Sequence, residues 1–397
     1  MRVAQVNYAF DTRLRDPEAL LDRYATLTGW SHAIANAAPD VEVLTLQQFH
    51  SSANVTRDGV RYVFADFLTL ARAAARFEPD VVHVNGLGFP MRTWLMRRPL
   101  QASSALVVQD HASGDPGAAT TAKNAVRRSL MRSIDAFLFT ALEQAEPWHR
   151  ARLIRPTQSV HDVMEASTTI APLPRGDARS QSGVTGAPAV LWVGRLNVNK
   201  DPLTVVDAFE TALSPSERNA RVRAPGGGAP GAMKNDVPLA TLTMVYQEEE
   251  LLAAVKARVQ SSPLLKDRVR LVGAVPHDRM AAFFSAADIF VVGSHHEGSG
   301  YALMEAIACG AIPVVTDIPA FRAITGTAVG ALWTPGDASA CARALGDVGS
   351  RDLSGARQRV MDHFQRELTW EVIGKRAVRI YRDVVQTRRG GPTCPPS

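Results

Sequence analysis

Two glutamates, Glu297 and Glu305, bracket a glycine-rich turn in the stretch SHHEGSGYALMEAIACGAIPVVT, residues 294–316. An apolar run at 288–292 reads as the buried strand before the turn. A helix follows it, ended by Gly310 ahead of the next strand, IPVVT. Within the segment GSGY, Gly298 and Gly300 let the backbone approach a ligand, with Ser299 and Tyr301 alongside. The first helical turn has unpaired N–H groups and a positive dipole end, which suit an anion such as a phosphate. Glu305 lies at least one turn further on, where a carboxylate cannot help a phosphate but can accept two hydrogen bonds from a ribose diol. Glu297 stays in the turn, free to meet a sugar hydroxyl. Because Glu305 sits among Leu303, Met304, Ala306, Ile307 and Ala308, its charge is costly unless it has partners.

A second block, VLWVGRLNVNKDPLTVVDAF at 190–209, has the same strand, loop and helix order, and its loop holds Arg195 and Lys200 after Gly194. Cations at such a junction are placed to neutralise a diphosphate as it leaves. Together the two blocks resemble the E-x7-E signature and donor-binding loop of the retaining, nucleotide-sugar-dependent glycosyltransferases of the GT-B fold, the glycosyltransferase family 4 type. The resemblance covers nearly the whole chain and is strongest over 188–340. It implies that Arg195 and Lys200 hold the donor diphosphate, that Glu297 meets the transferred sugar and that Glu305 holds the ribose. It also implies that His111, in QDHAS after the strand ALVVQ, contacts the donor sugar, with Asp110 and His83 as weaker candidates. Gly273 and Val275, in VRLVGAVP, would meet the nucleobase through their backbone, and Gly194 would border the donor. A UDP-sugar is the first expectation for the donor and a GDP-sugar the next. No other cofactor is expected, and the absence of a D-x-D motif leaves the work of a metal to Arg195 and Lys200. The vicinal His295 and His296 lack a third ligand at metal spacing, so a structural or substrate-lining role is expected for them.

Two segments depart from the family's pattern. The loop after the first strand, NYAFDTRLRDPE, lacks the usual Gly-Gly, and the next glycine, Gly29, comes late. YQEEE stands where a G-x-G-P is usual, after the strand at 241–246.

Length and composition agree with a two-domain enzyme: 397 residues, 46% of them hydrophobic, with a net charge of +5. There is no basic stripe with interleaved aromatics and no nucleic-acid-binding module, so no nucleic-acid partner is expected. Cys309, Cys341 and Cys394 are scattered, as in a reducing cytoplasm. The opening MRVAQVNYAFDTRLRD reads as a strand rather than a signal core, and no apolar run reaches membrane-spanning length. The basic and aromatic stretches at 91–100 and 122–133 could dock peripherally on the inner face of a membrane, near a lipid-linked acceptor.

Apolar runs rich in β-formers alternate with helical periodicity, the pattern of parallel sheets covered by helices. The expected fold class is α/β: two Rossmann-like, doubly wound domains facing a central cleft. The first, at 1–170, would bind an acceptor (a glycan, a lipid-linked sugar or a small molecule). A Pro-, Gly- and Ser-rich linker is expected at 171–188, then the nucleotide-sugar domain at 189–369, a crossover helix at 370–386 and a disordered tail at 387–397. A surface insertion is expected at 219–238. Two rival functions fit the same fold: a sugar-nucleotide epimerase, which would turn over the donor alone, and a catalytically silent binding scaffold, which would bind no nucleotide.

Overall fold

The computed structural model describes residues 1–111, 114–214 and 240–390. The insertion expected at 219–238, the chain end at 391–397 and Cys394 lie outside these residues. Internal contacts divide the chain into two units, Met1–Thr168 together with the chain from Glu367 onward, and Thr169–Arg366.

In chain order the first unit comprises β1 (Arg2–Asn7), α1 (Pro17–Arg23), α2 (Ala25–Ala37), β2 (Glu42–Gln48), β3 (Ala53–Arg57), β4 (Val60–Ala65) and α3 (Phe67–Phe77). It continues with β5 (Val81–Asn85), α4 (Pro90–Arg97), β6 (Ala105–Gln109), α5 (Ala122–Met131), β7 (Ala136–Phe139), α6 (Glu146–Arg150) and β8 (Ser159–Asp162). Its sheet has the order β3-β4-β2-β1-β5-β6-β7-β8. Every neighbouring pair is parallel except the β3–β4 hairpin. Alternation along the strands feeds two cores. Ala4, Val6, Val82 and Val84 join one, while Val3, Val81, Ala105 and Val107 join the other with Trp30 of α2. Strands buried on both faces read as continuous apolar runs, which is why ALVVQ and AFLF were legible.

The second unit comprises α7 (Arg175–Ser182), β9 (Ala189–Gly194), α8 (Pro202–Leu213), β10 (Thr241–Tyr246), α9 (Leu252–Gln260), β11 (Val269–Gly273), α10 (Met280–Ala286) and β12 (Ile289–Val292). Then come α11 (Tyr301–Ala308), β13 (Ile312–Thr316), α12 (Pro319–Thr325), β14 (Ala331–Trp333), α13 (Ala338–Gly349) and α14 (Leu353–His363). Its sheet, β11-β10-β9-β12-β13-β14, is parallel throughout.

The stretch expected to be an aperiodic linker contains α7, so that reading is corrected. Asp288, buried at the start of the β12 segment, accepts the Ala189 N–H at 2.8 Å and pairs with Arg175 and Arg179. A buried carboxylate needs such cations, and they anchor α7, whose Ala178 and Ser182 are buried.

The last helix, α15 (Trp370–Arg388), groups with the first unit and extends two residues into the expected tail. It buries Ile373, Ala377, Tyr381 and Val384 and lies against α2. Glycines set that approach. A side chain on Gly374 would come within 2.2 Å of the Ala33 carbonyl, and one on Gly29 within 2.4 Å of the Trp370 ring. Gly29, the first glycine after the loop that lacks the Gly-Gly, is therefore a packing residue.

The chain order reverses at β1, which lies between β2 and β5, and at β9, which lies between β10 and β12. In open parallel sheets ligands bind beyond the strand C-termini at such switch points.

Candidate active site

In the second unit the loop after β9 and the loop after β12 meet at the switch point, and one asparagine stitches them together. Asn199 accepts the His295 N–H on its carbonyl at 2.9 Å and the His296 N–H on its side chain at 3.1 Å. Its own amide donates to the His296 carbonyl at 3.1 Å. The His295 ring meets the Asp201 carboxylate at 3.3 Å, which ties the β12 loop to the start of α8. Held this way, the Lys200 ammonium pairs with Glu297, at 20% and 14% side-chain exposure. Residues from two distant motifs thus converge on one point. Gly194 makes room for them: a side chain there would meet the Trp192 ring at 3.1 Å and Lys200 Cγ at 3.5 Å. Arg195, by contrast, is 65% exposed and lies 3.4 Å from Glu248, the first carboxylate of YQEEE.

Helix α11 opens on Gly300, which no side chain caps. Gly300 has φ +56°, and a Cβ there would lie 2.7 Å from Ile324 Cδ1, so only glycine fits. Gly298 is buried, Ser299 and Tyr301 are half-buried, and Glu305 is 4% exposed on the inner face of the helix. The Glu305 carboxylate meets His277 Nε2 at 2.5 Å, and the His277 ring stacks near Tyr301 with centroids 6.1 Å apart. Burial raises the Glu305 pKa, and the hydrogen bonds and charge from His277 and Tyr301 oppose it without cancelling it. Gly273 ends β11 at φ +84° with open space around it, and half-buried Val275 follows. His277 escaped the sequence reading, although it stands two residues beyond the VRLVGAV strand end that did attract attention.

In the first unit the register aligns Gln47, Asn7, Asn85 and Gln109 in one row across the C-terminal edge of β2, β1, β5 and β6. Asn85 donates to Asn7, and its side-chain oxygen faces His111 Nε2 at 3.3 Å. His111 Nδ1 lies 2.5 Å from Glu165, a carboxylate at 5% exposure. Asp110 is buried beside it. His83 is fully buried with Nδ1 on the Tyr381 hydroxyl, and burial together with the His111 charge pushes its pKa down to about 3. It is a neutral tie between β5 and α15. Nothing in the sequence pointed to Glu165, which lies beyond β8 with no motif around it.

Residues 175–359 match the family model described as glycosyl transferases group 1. The chain is 24% identical to a GDP-mannose:cellobiosyl-diphosphopolyprenol alpha-mannosyltransferase of Xanthomonas campestris, over 86% of this chain and 87% of that one. The matched stretch is a group 1 glycosyltransferase domain, and the chain has the GT-B fold. The chain is also 30% identical to a 2-deoxystreptamine N-acetyl-D-glucosaminyltransferase of Streptomyces fradiae, over 50% of this chain and 44% of the other. Its fold matches sucrose-phosphate synthase from Thermosynechococcus elongatus with a TM-score of 0.65 at 17% identity, covering 97% of this chain and 99% of that structure. The donor-side residues singled out in the sequence, from Gly194 to Glu305, all fall within the matched stretch, and His111 falls outside it. Among its described residues no helix is long and apolar enough to cross a membrane.

Proposed function

We propose that the enzyme transfers a sugar from a nucleoside diphosphate sugar to an acceptor hydroxyl with retention of anomeric configuration. The pairing of Lys200 with Glu297 at the β9–β12 switch point carries this reading. A donor has a diphosphate joined to a sugar at one atom, and recognising that junction takes a cation and a hydrogen-bond acceptor side by side. Without a donor the two charges neutralise each other. With one bound, Lys200 turns to the diphosphate and Glu297 to the sugar hydroxyls. The uncapped start of α11 receives the phosphate, the Glu305 carboxylate receives the ribose diol, and Gly273 and Val275 border the base.

The acceptor hydroxyl attacks from the face that the diphosphate leaves, and a β-phosphate oxygen takes its proton, so that no protein base is required. Negative charge grows on the diphosphate as the glycosidic bond breaks. Lys200, assisted by Arg195, stabilises it in place of a divalent ion. UDP- and GDP-sugars are the donors to test first, the latter because the Xanthomonas relative uses GDP-mannose.

The acceptor falls to the first unit. That relative's acceptor is lipid-linked, and α4 packs on α5 here with Met91 and Val126 exposed and Arg98 stacked on Trp94 at 4.0 Å. Such a basic and apolar face suits peripheral contact with an anionic bilayer on the cytoplasmic side. The test is a thermal-shift panel of nucleotide sugars, followed by NMR of the product's anomeric proton. A bound donor at a hundredfold its Kd adds about 2.7 kcal/mol to stability. An inverted anomer sinks the retaining mechanism, and a donor consumed without acceptor favours the epimerase.

A further inference from the structure

The His111–Glu165 pair in the first unit has a geometry that determines its charge. Glu165 is buried at 5% side-chain exposure, and an ionised carboxylate at that depth needs a cation. His111 Nδ1, 2.5 Å away, is the partner that meets it. The other ring nitrogen, Nε2, faces the Asn85 side-chain oxygen at 3.3 Å, while the Asn85 amide donates in turn to Asn7. Both imidazole nitrogens therefore lie within hydrogen-bonding distance of acceptors. A neutral ring can donate to only one of them, whereas an imidazolium donates to both.

We propose that Glu165 is a positioning residue that holds His111 as an imidazolium, and that Nε2–H is the cationic donor the first unit offers to an oxygen of the bound sugar. Asn85, at the longer distance, keeps that N–H occupied until the substrate oxygen replaces it. His111 is then a charged hydrogen-bond donor throughout the reaction and never a general base. The deeper claim, about catalysis, rests on the glycosyl-transfer reading given above; the claim about charge does not.

The surroundings agree. The His111 side chain keeps 38% exposure, and although desolvation of the rest works against a charge, the carboxylates of Glu165 and, after it, Asp110 outweigh it and raise the pKa. The other titratable groups of this cluster are His83, held neutral, and the buried Tyr381 hydroxyl, whose pKa burial raises, so neither adds a competing charge. A raised histidine pKa means that the charge is complete at low pH and is lost as pH climbs through the raised value.

The test has two readouts. NMR titration of the His111 ring, assigned with His111→Asn, needs no substrate. It should give a pKa above the ordinary 6.5 in the wild type and one lower by about one to three units in Glu165→Gln, the usual effect of a close opposite charge. Steady-state turnover should fall on the basic side in the wild type, and in Glu165→Gln that limb should move to lower pH by the same interval, with activity recovering below it. A wild-type His111 that titrates at or below 6.5 overturns the charge assignment, even if the variant fails to fold. A shifted ring titration with an unmoved turnover limb overturns the role in catalysis and leaves the charge assignment standing.

Discussion

The two switch points solve the same geometric problem with different chemistry. In the second unit, at β9 and β12, two loops deliver a full ion pair, Lys200–Glu297, beside a second carboxylate, Glu305, capped by His277. In the first unit, at β1 and β5, the strand ends present a row of neutral amides, with charge entering through His111 and the carboxylates beside it and, at the β2 end, through Arg92 on Gln48. A diphosphate brings strong negative charge and demands cations, while the hydroxyls of sugars ask for donors and acceptors without net charge. The comparison suggests that the second unit grips the donor's charged portion and that the first handles neutral oxygen atoms.

The largest expected effect tests the charged half of this contrast. Lys200→Ala and Glu297→Gln should each lower kcat by about two to three orders of magnitude, the typical loss of one transition-state stabiliser. The double variant should lose much less than the product of the two, since partners that act as a unit are not additive. Multiplicative losses in a steady-state assay would show that they act separately. Activity should persist in EDTA, and restoration by a divalent ion after a loss would pass the leaving-group role to a metal.

A smaller effect is expected at Glu305. Glu305→Gln removes a charged acceptor worth about 1.5–3 kcal/mol from donor binding, readable by calorimetry. The pH dependence has a definite sign. Because burial raises this carboxylate's pKa above its ordinary 4.5, donor affinity in the wild type should weaken as pH falls through a value above that figure. Folding stability carries the opposite burden: the cost of ionising a buried carboxylate is absent below the ordinary pKa and grows as pH rises through the raised one. Donor affinity that stays level through the weakly acidic range would dismiss the ribose role.

Arg195→Ala should cost about tenfold in turnover, less than Lys200→Ala, because Arg195 is 65% exposed and shares its charge with Glu248. Equal losses in the two variants would show that Arg195 leaves Glu248 when the donor binds. The smallest effect belongs to the neutral half. Tyr381→Phe removes the hydroxyl that pairs with His83, which should lower stability by about 1 kcal/mol in urea melts and leave the donor KM unchanged. A changed KM would make His83 part of the site and blur the distinction between the two units.

Legibility differed between the units for a physical reason. The proposed donor site comes from short contiguous segments, since a strand, a tight turn and a helix N-terminus impose glycines and capping positions at fixed spacing. Gly300, with φ +56° and no room for a side chain, is that constraint made visible. The first unit's cluster draws Asn7, Asn85, His111 and Glu165 from four places along the chain, and apart from His111, in QDHAS at a strand end, no local signal marks them. The hairpin β3–β4 was readable and was missed. Asp58 and Gly59, at φ +49° and +79°, form a turn of the Asp-Gly kind between alternating strands. The helix α7 was hidden because its support comes from Asp288, a residue more than a hundred positions away.

By itself the sequence determined the α/β class and most strand positions and singled out the residues proposed to hold the donor, because apolar periodicity and turn chemistry act over a few residues. Tertiary structure alone decided the partners. Lys200 meets Glu297 only when β9 and β12 become neighbours, His277 covers Glu305 only when β11 and α11 come together, and Glu165 meets His111 only when the end of β8 reaches β6. Ion pairs and buried hydrogen bonds depend on distance in space, and the order of residues along the chain carries that distance only after the sheet has assembled.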